Sequence, residues 1–359
     1  MHRKSKLELF SKDTYQYLPV FVSWSKFLMN IISIQDNVGL PKYKQIILSI
    51  QKAIDDGRLL KGERLPSVNK VCLAFSLSRD TVLQGYDELK KRGIIYAIPG
   101  KGYYVKSLET SIKQKIFLLF DEFNIFKEDL YNSFLTNIGK DVQVDIFFHH
   151  FNPEVFKKIV YYNNGNYTKY IIMPTDLQVL DTIKTLPVND VIILDQTRPE
   201  LKQYPSIYQN HRKDIFEGLL MAKPKLNKYK RLILIFPGFR EPVAMKDGFV
   251  DFCSVHHFNY DILAEFTSYQ IKTGDLFVIP NDRDLVRVIE YAGQNDLQLG
   301  VDFGIISYNE TPLKKVVANG ITTISTHFEE MGKLLSEMVL NSKKEQIENR
   351  SSLIMRNSL

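Results

Sequence analysis

The chain has few cysteines and no long apolar run. Of its 359 residues only Cys72 and Cys253 are cysteine. They stand far apart, each inside an apolar pattern, so neither a disulfide framework nor a paired-cysteine metal knuckle can form. Both read as buried thiols of a cytosolic protein. The longest apolar stretches, "VIILD" and "LILIF", fall well short of the roughly 18 residues that a membrane span needs. The first residues, "MHRKSKLELFSKD", are basic, but no apolar core with a small-residue cleavage site follows, so no secretory signal is read there. The expected location is the cytoplasm, with no membrane partner. There is no short internal repeat and no low-complexity tract. No Ser-His-Asp or Cys-His set stands in a catalytic motif. His149-His150 and His256-His257 are adjacent pairs, and neighbours in a strand point to opposite faces, which argues against a shared metal. The expectation is a chain that is no enzyme and carries neither metal nor other cofactor.

Charge is what the sequence distributes unevenly. Lys and Arg outnumber Asp and Glu by 13 to 6 in residues 39–106 and by 5 to 3 in residues 1–38. From residue 107 onward acids outnumber bases by 32 to 29. One small basic block on a mildly acidic remainder favours a polyanion partner for the block alone. The length suggests at least two domains.

The expected organisation has three parts. Residues 1–38 are an extension, aromatic-rich in "YLPVFVSWSKFL" but without clear period. Met29 reads as a natural start, and "MNIISIQDN" as a short strand. Residues 39–106 are a compact head. A helix starts at Pro41, carries Ile46, Ile47, Ile50, Ala53 and Ile54 at helical spacing, and stops at Gly57. Ser67 caps a second helix to about Phe75, and Ser78 caps a third to about Arg92. "IIYAIPGKGYYV" then reads as a hairpin. The order helix, helix, turn, helix, hairpin is a winged helix-turn-helix. Residues 107–359 alternate apolar strands with amphipathic helices, which implies parallel sheets covered on both faces. Ligands of such sheets sit beyond the carboxyl ends of the strands. Those ends read "DEFN", "DQTR", "PGFR", "PNDR" and "YNET", groups suited to a polyhydroxyl ligand. Arg240, at one strand end, has the reach to bridge two ring oxygens.

In a helix-turn-helix the second helix of the motif enters the major groove N-terminus first. Here that tip reads Ser78-Arg79-Asp80-Thr81. Ser78 caps and can donate to phosphate. Arg79 can bind guanine O6 and N7 or grip a phosphate. Asp80, Thr81 and Gln84 lie away from the apolar face of Val82, Tyr86 and Leu89. Ser67, Arg64 and Lys70 flank the preceding loop and helix and suit the DNA backbone. Lys101 in the hairpin turn has glycine on either side, and Gly102 lets backbone approach the duplex closely.

These residues resemble a family. "LPS", "SRDTV", the Tyr86–Leu89–Gly93 spacing and "GKGYYV" are similar to the DNA-binding domain of GntR regulators, over residues 40–105. One position departs: where the family usually has arginine, three residues after the proline, stands Asn69, whose amide suits adenine. "GKG" has the wrong spacing for a phosphate-binding loop. GntR-type heads are joined to several effector domains. The tail of about 250 residues is short for the aminotransferase kind, and no lysine has that cofactor's context.

The tail instead resembles the sensing domain of LacI/GalR repressors, a two-lobed periplasmic-binding-protein fold. The resemblance rests on "IFLLFDEFNIF", on "IPNDRDLVRVIEYAGQNDLQLGVDFGIISYNETPLKKVVANGITTIS" and on "LIMRNS". It implies an α/β architecture with chain crossings between lobes near Tyr208, Thr323 and the C-terminal tail. By position it implies ligand contacts at Phe123, Asn124, Asp195, Asn210, Asn281, Asp282 and Asn309. Met245 stands where the family often has a ligand-gripping arginine, and Asn309 where aspartate is common. The expected function is a homodimeric repressor that reads a palindromic, double-stranded operator and senses a small effector, a monosaccharide or its derivative. The alternatives are a head fused to a sugar-modifying enzyme and a cleft that serves only dimerisation.

Overall fold

The computed structural model describes residues 30–36, 39–238, 240–267 and 270–359. The expectations on the first 28 residues and Met29 lie outside them. Contacts divide the described residues into two compact units, those up to 118 with 140–145 and 160–170, and those of 119–139, 146–159 and 171–359.

The head follows its sequence pattern closely. Helix α1 (Lys42–Asp55) ends at Gly57, which takes φ +72. In α2 (Val68–Phe75) the Ser67 side chain accepts from Lys70 N, and in α3 (Arg79–Lys91) Ser78 accepts from Thr81 N. Strands β1 (Ile95–Ile98) and β2 (Gly102–Val105) pair antiparallel. Leu65 N and Val105 N bond Tyr103 O and Glu63 O, each at 2.9 Å, so residues 63–65 run beside the wing. The core holds Ile46, Ile50, Val71, Val82, Leu89 and Val105. Tyr86 lies among them, fully buried, its hydroxyl donating to Pro66 O at 2.7 Å. A Cβ on Gly85 would lie 3.1 Å from Tyr43 O, so glycine sets how closely α3 approaches α1.

The expected strand after Met29 does not form. Asn30 and Ile31 are helical, and Ile31 and Ile32 are buried in the head's core. Their apolar pair finds cover against helices rather than a strand partner.

Beyond the head, the described residues form two six-stranded sheets. The first holds β3 (Gln114–Phe120), β4 (Val142–Phe148), β5 (Lys169–Ile172), β6 (Val191–Asp195), β7 (Ser206–Tyr208) and β13 (Gln346–Glu348), in the order β13-β7-β6-β5-β3-β4. The second holds β8 (Arg231–Ile235), β9 (Tyr260–Leu263), β10 (Asp275–Ile279), β11 (Gly304–Tyr308), β12 (Thr322–Thr326) and β14 (Ser351–Ile354), in the order β14-β12-β11-β10-β8-β9. Its pairs are parallel except β12 with β14. Strands such as β6 and β10 are buried at every position, as strands covered on both faces must be.

Among the helices, α4 (Ile125–Ile138), α5 (Pro153–Asn163), α6 (Leu180–Lys184), α7 (His211–Leu226), α8 (Val243–His256), α9 (Asp282–Gln294), α10 (Pro312–Val316) and α11 (Phe328–Asn341) fill the connections. Helix α6 is short and follows directly on a 3-10 turn at Leu177–Val179. The chain passes between sheets after β7, after β12 and after β13. Hydrogen bonds tie the three crossings together. Thr326 Oγ1 donates to Gln209 Oε1, Asn349 N donates to Tyr208 O, and His327 N donates to Arg350 O.

Candidate nucleic-acid interface and ligand cleft

The tip of α3 is exposed from Ser78 to Asp80, and Gln84 follows one turn later on the same side. Ser78 Oγ contacts Thr81 Oγ1 at 2.8 Å as well as the Thr81 amide. Arg79 Nη1 donates to Asn69 Oδ1 at 2.7 Å across the turn. The two side chains expected to read bases are therefore partners in the free protein. Arg64 is exposed beside the wing, where a Cβ on Gly102 would lie 3.3 Å from its Nε. Lys101 is exposed at the wing tip, in a turn closed by its amide to Ile98 O at 2.9 Å. Ser67, Asn69 and Lys70 lie at the start of α2, and Asn69 and Lys70 are exposed. The N-terminal amides of α3 add a partial positive pole to this surface.

In the second unit a cleft of about 950 Å³ opens at the carboxyl ends of strands from both sheets. Residues following β3 and β6 line one side, and residues following β8, β10 and β11 line the other. Two strand ends carry non-glycine residues in the left-handed region, Asp195 at φ +75 and Asn309 at φ +58. Short polar side chains tolerate that conformation best. Asp195 is buried, and its carboxylate accepts from Gln209 Nε2.

Ion pairs run round the cleft. Lys127 pairs with Asp121, both buried. Lys314, also buried, reaches Asp282 at 2.9 Å and donates to Tyr308 O and Asn309 O at 2.8 Å each. Burial lowers its pKa while Asp282 opposes that shift. Arg240 crosses the cleft mouth to Glu122 at 2.9 Å, with its guanidinium 5.2 Å from the Phe151 ring centroid. Arg287 pairs with Asp284 at 3.1 Å.

A buried polar chain lies at the base. Tyr308 Oη stands 3.4 Å from Asp214 Oδ2 and 3.2 Å from His211 Nδ1, and Ser351 Oγ donates to Asp214 Oδ1 at 2.7 Å. Burial pushes Asp214 up to about 6, against the Ser351 hydrogen bond. Burial lowers the His211 pKa, while the Asp195 carboxylate opposes that shift. Three buried atoms of cleft-lining residues, His211 Nε2, Asn309 Oδ1 and Thr311 Oγ1, have no hydrogen-bond partner among the described residues.

The family model "Bacterial regulatory proteins, gntR family" matches residues 42–105. The head is a GntR-family domain. The arabinose metabolism transcriptional repressor of Geobacillus stearothermophilus is 39% identical over 66 residues, 18% of this chain and 18% of that protein. The matched stretches cover less than half of the first curated relatives' length. The rest of the chain has the LacI-like, periplasmic-binding-protein fold. The trehalose repressor from Escherichia coli superposes with TM-score 0.57 at 11% identity, over 67% of this chain and 99% of that one. A LacI-family regulator from Lactobacillus casei with bound glucose gives 0.55 at 17% identity, over 68% and 99%. At such identities the likeness is one of fold.

Of the residues expected at the cleft, Asn124, Asp195, Arg240, Asn281, Asp282 and Asn309 line it together, and Met245 does too. Asn124 and Asn281 also cap α4 and α9, accepting from Lys127 N and Asp284 N. Phe123 and Asn210 are not in the lining. Phe123 packs edge-on against Phe148, ring centroids 5.9 Å apart, and Asn210 caps α7 while donating to Glu348 at 3.0 Å. Sequence reasoning missed Gln209, His211 and Lys314, whereas Thr311 stands in the strand end "YNET". In "NETPLKKV" the lysine reads as one more solvated charge. Only the three-dimensional contact with Tyr308 O and Asn309 O shows that it holds the loop carrying Asn309 and Thr311.

Proposed function

We propose that the chain is a one-component transcription regulator whose GntR-family head reads operator duplex and whose cleft binds a small polyhydroxyl effector. Homodimerisation would place two heads on a palindromic site, because protein two-fold symmetry is mirrored in half-sites. The cleft acts as a sensor without turnover, and the protein works in the cytoplasm where its operator is.

One observation carries the effector reading: three buried polar atoms of the cleft lining lack protein partners. Native interiors leave few such atoms unmatched, since each costs about 1–3 kcal/mol. Residues from both sheets reach this space, so a molecule bound there would contact both lobes and bias their closure. It shifts the equilibrium only by its difference in affinity for the two states. Relatives named for arabinose and trehalose repression, and a glucose-bound neighbour, agree with a sugar-class effector.

A thermal-shift screen of the intact chain against sugars, nucleosides and amino acids tests this. A ligand of the native state raises the melting midpoint, by mass action worth about 2.7 kcal/mol at a hundredfold excess over Kd. Sugars among the hits are the expected result. No shift from any class contradicts the sensor reading, and product formed from a bound sugar contradicts binding without turnover.

A further inference from the structure

The hydrogen-bond polarity of the cleft floor narrows the ligand class. The tautomer that leaves Tyr308 free to donate to Asp214 carries its ring proton on His211 Nδ1, 3.2 Å from the Tyr308 oxygen. A neutral ring then leaves Nε2 as an acceptor. Thr326 donates to Gln209 Oε1, which turns the Gln209 amide nitrogen toward Asp195 Oδ1. Asp195 therefore offers its remaining lone pairs to the cleft. Asn309 Oδ1 is a third acceptor without a donor among the described residues.

The charges point the same way. Seven carboxylates line the cleft against five bases, and of those bases Lys127, Lys314, Arg240 and Arg287 each hold a carboxylate while Arg283 lies exposed at the start of α9. Asp195 and Glu241 line the cleft with no cationic partner among the described residues. The N-terminal pole of α9, where a phosphate would otherwise sit well, carries Asp282 and Asp284 in its first turn.

We propose that the cleft takes a donor-rich polyol, uncharged or bearing an amine, and rejects the phosphate ester or carboxylic acid of the same skeleton. The proposal rests on reading the cleft as a ligand site. Hydroxyl and ammonium protons satisfy Asp195, His211 Nε2 and Asn309 Oδ1. A phosphoryl group brings only further acceptors and negative charge, so it leaves these atoms unmatched and meets carboxylates.

The test uses the intact chain and matched sets built on glucose, arabinose and trehalose: the free sugar, its amino derivative where one exists, its phosphate ester and its acid. Thermal shift finds the binding set, and calorimetry ranks its members. The free or amino sugar is expected to bind at least about ten-fold more tightly than the phosphate or acid. Equal or tighter binding of the phosphate or acid overturns the proposal while leaving the sensor reading intact. No binding by any member of any set removes the sugar reading itself. Asp195→Asn keeps a residue that tolerates the left-handed region, yet turns an acceptor into a donor. It is expected to lower affinity for the bound sugar at least about ten-fold, and unchanged affinity overturns the role of Asp195.

Discussion

Arg79 and Asn69 meet across the turn of the helix-turn-helix, and their 2.7 Å bond couples the two side chains proposed to read bases. Arg79→Ala should weaken operator binding by about 1–3 kcal/mol if it reads a base. Asn69→Ala should couple to it in a double-mutant cycle by about 0.5–3 kcal/mol. Anisotropy titrations of the four proteins on one duplex check both, and additive losses would separate the pair. Asp214 makes a second residue-scale prediction. Its carboxyl is raised from 3.8 to about 6 by burial. Below the ordinary value both folded and unfolded states carry the proton, and between the two values only the folded state does. Stability from this group is therefore fully present in acid and is lost as pH rises through about 4 to 6, by up to about 3 kcal/mol. Relative to wild type, Asp214→Asn should gain stability across that window, read from denaturant midpoints at pH 4 and 7. A constant difference contradicts the shift.

The elements were legible where one period and one cap sufficed. Ser67 and Ser78 mark the starts of α2 and α3 because a side-chain oxygen there meets an orphan amide, a local event. Buried strands β6, β8 and β10 stand out as unbroken apolar runs. Strand β12 does not, although every position is buried, because four of its five side chains are Thr or Ser whose fit depends on distant partners such as Arg356 O and Gln209. Edge strand β9 alternates in exposure and has no neighbour signal in sequence. The cleft was half legible for the same reason. Strand-end acids and amides show in sequence, whereas Lys314 and His211 matter only through what folds against them. Helix packing adds a prediction at this scale. A Cβ on Gly332 of α11 would lie 2.3 Å from Leu130 O of α4. Gly332→Ala should destabilise by about 1–3 kcal/mol through overpacking, lowering the melting midpoint by roughly 2–4 °C per kcal/mol. An unchanged midpoint would show that the two helices yield freely.

Across the whole molecule, charge and topology divide the work. The head region 39–106 carries 13 basic against 6 acidic residues, and the chain from 107 onward is mildly acidic. Binding to duplex should fall steeply with salt, by about 0.9 in log–log slope per phosphate contact, and a chain lacking residues 1–106 should not bind at all. Hydrogen bonds tie the three crossings between the sheets, and Gln209 at the first crossing contacts Asp195 directly. The measurement that bears most directly on the account is the Kd of the intact chain for a duplex selected from random sequence, at one salt concentration, with and without a saturating polyol found by thermal shift. The account predicts a change of roughly 5–150-fold. An identical Kd with the cleft filled contradicts it.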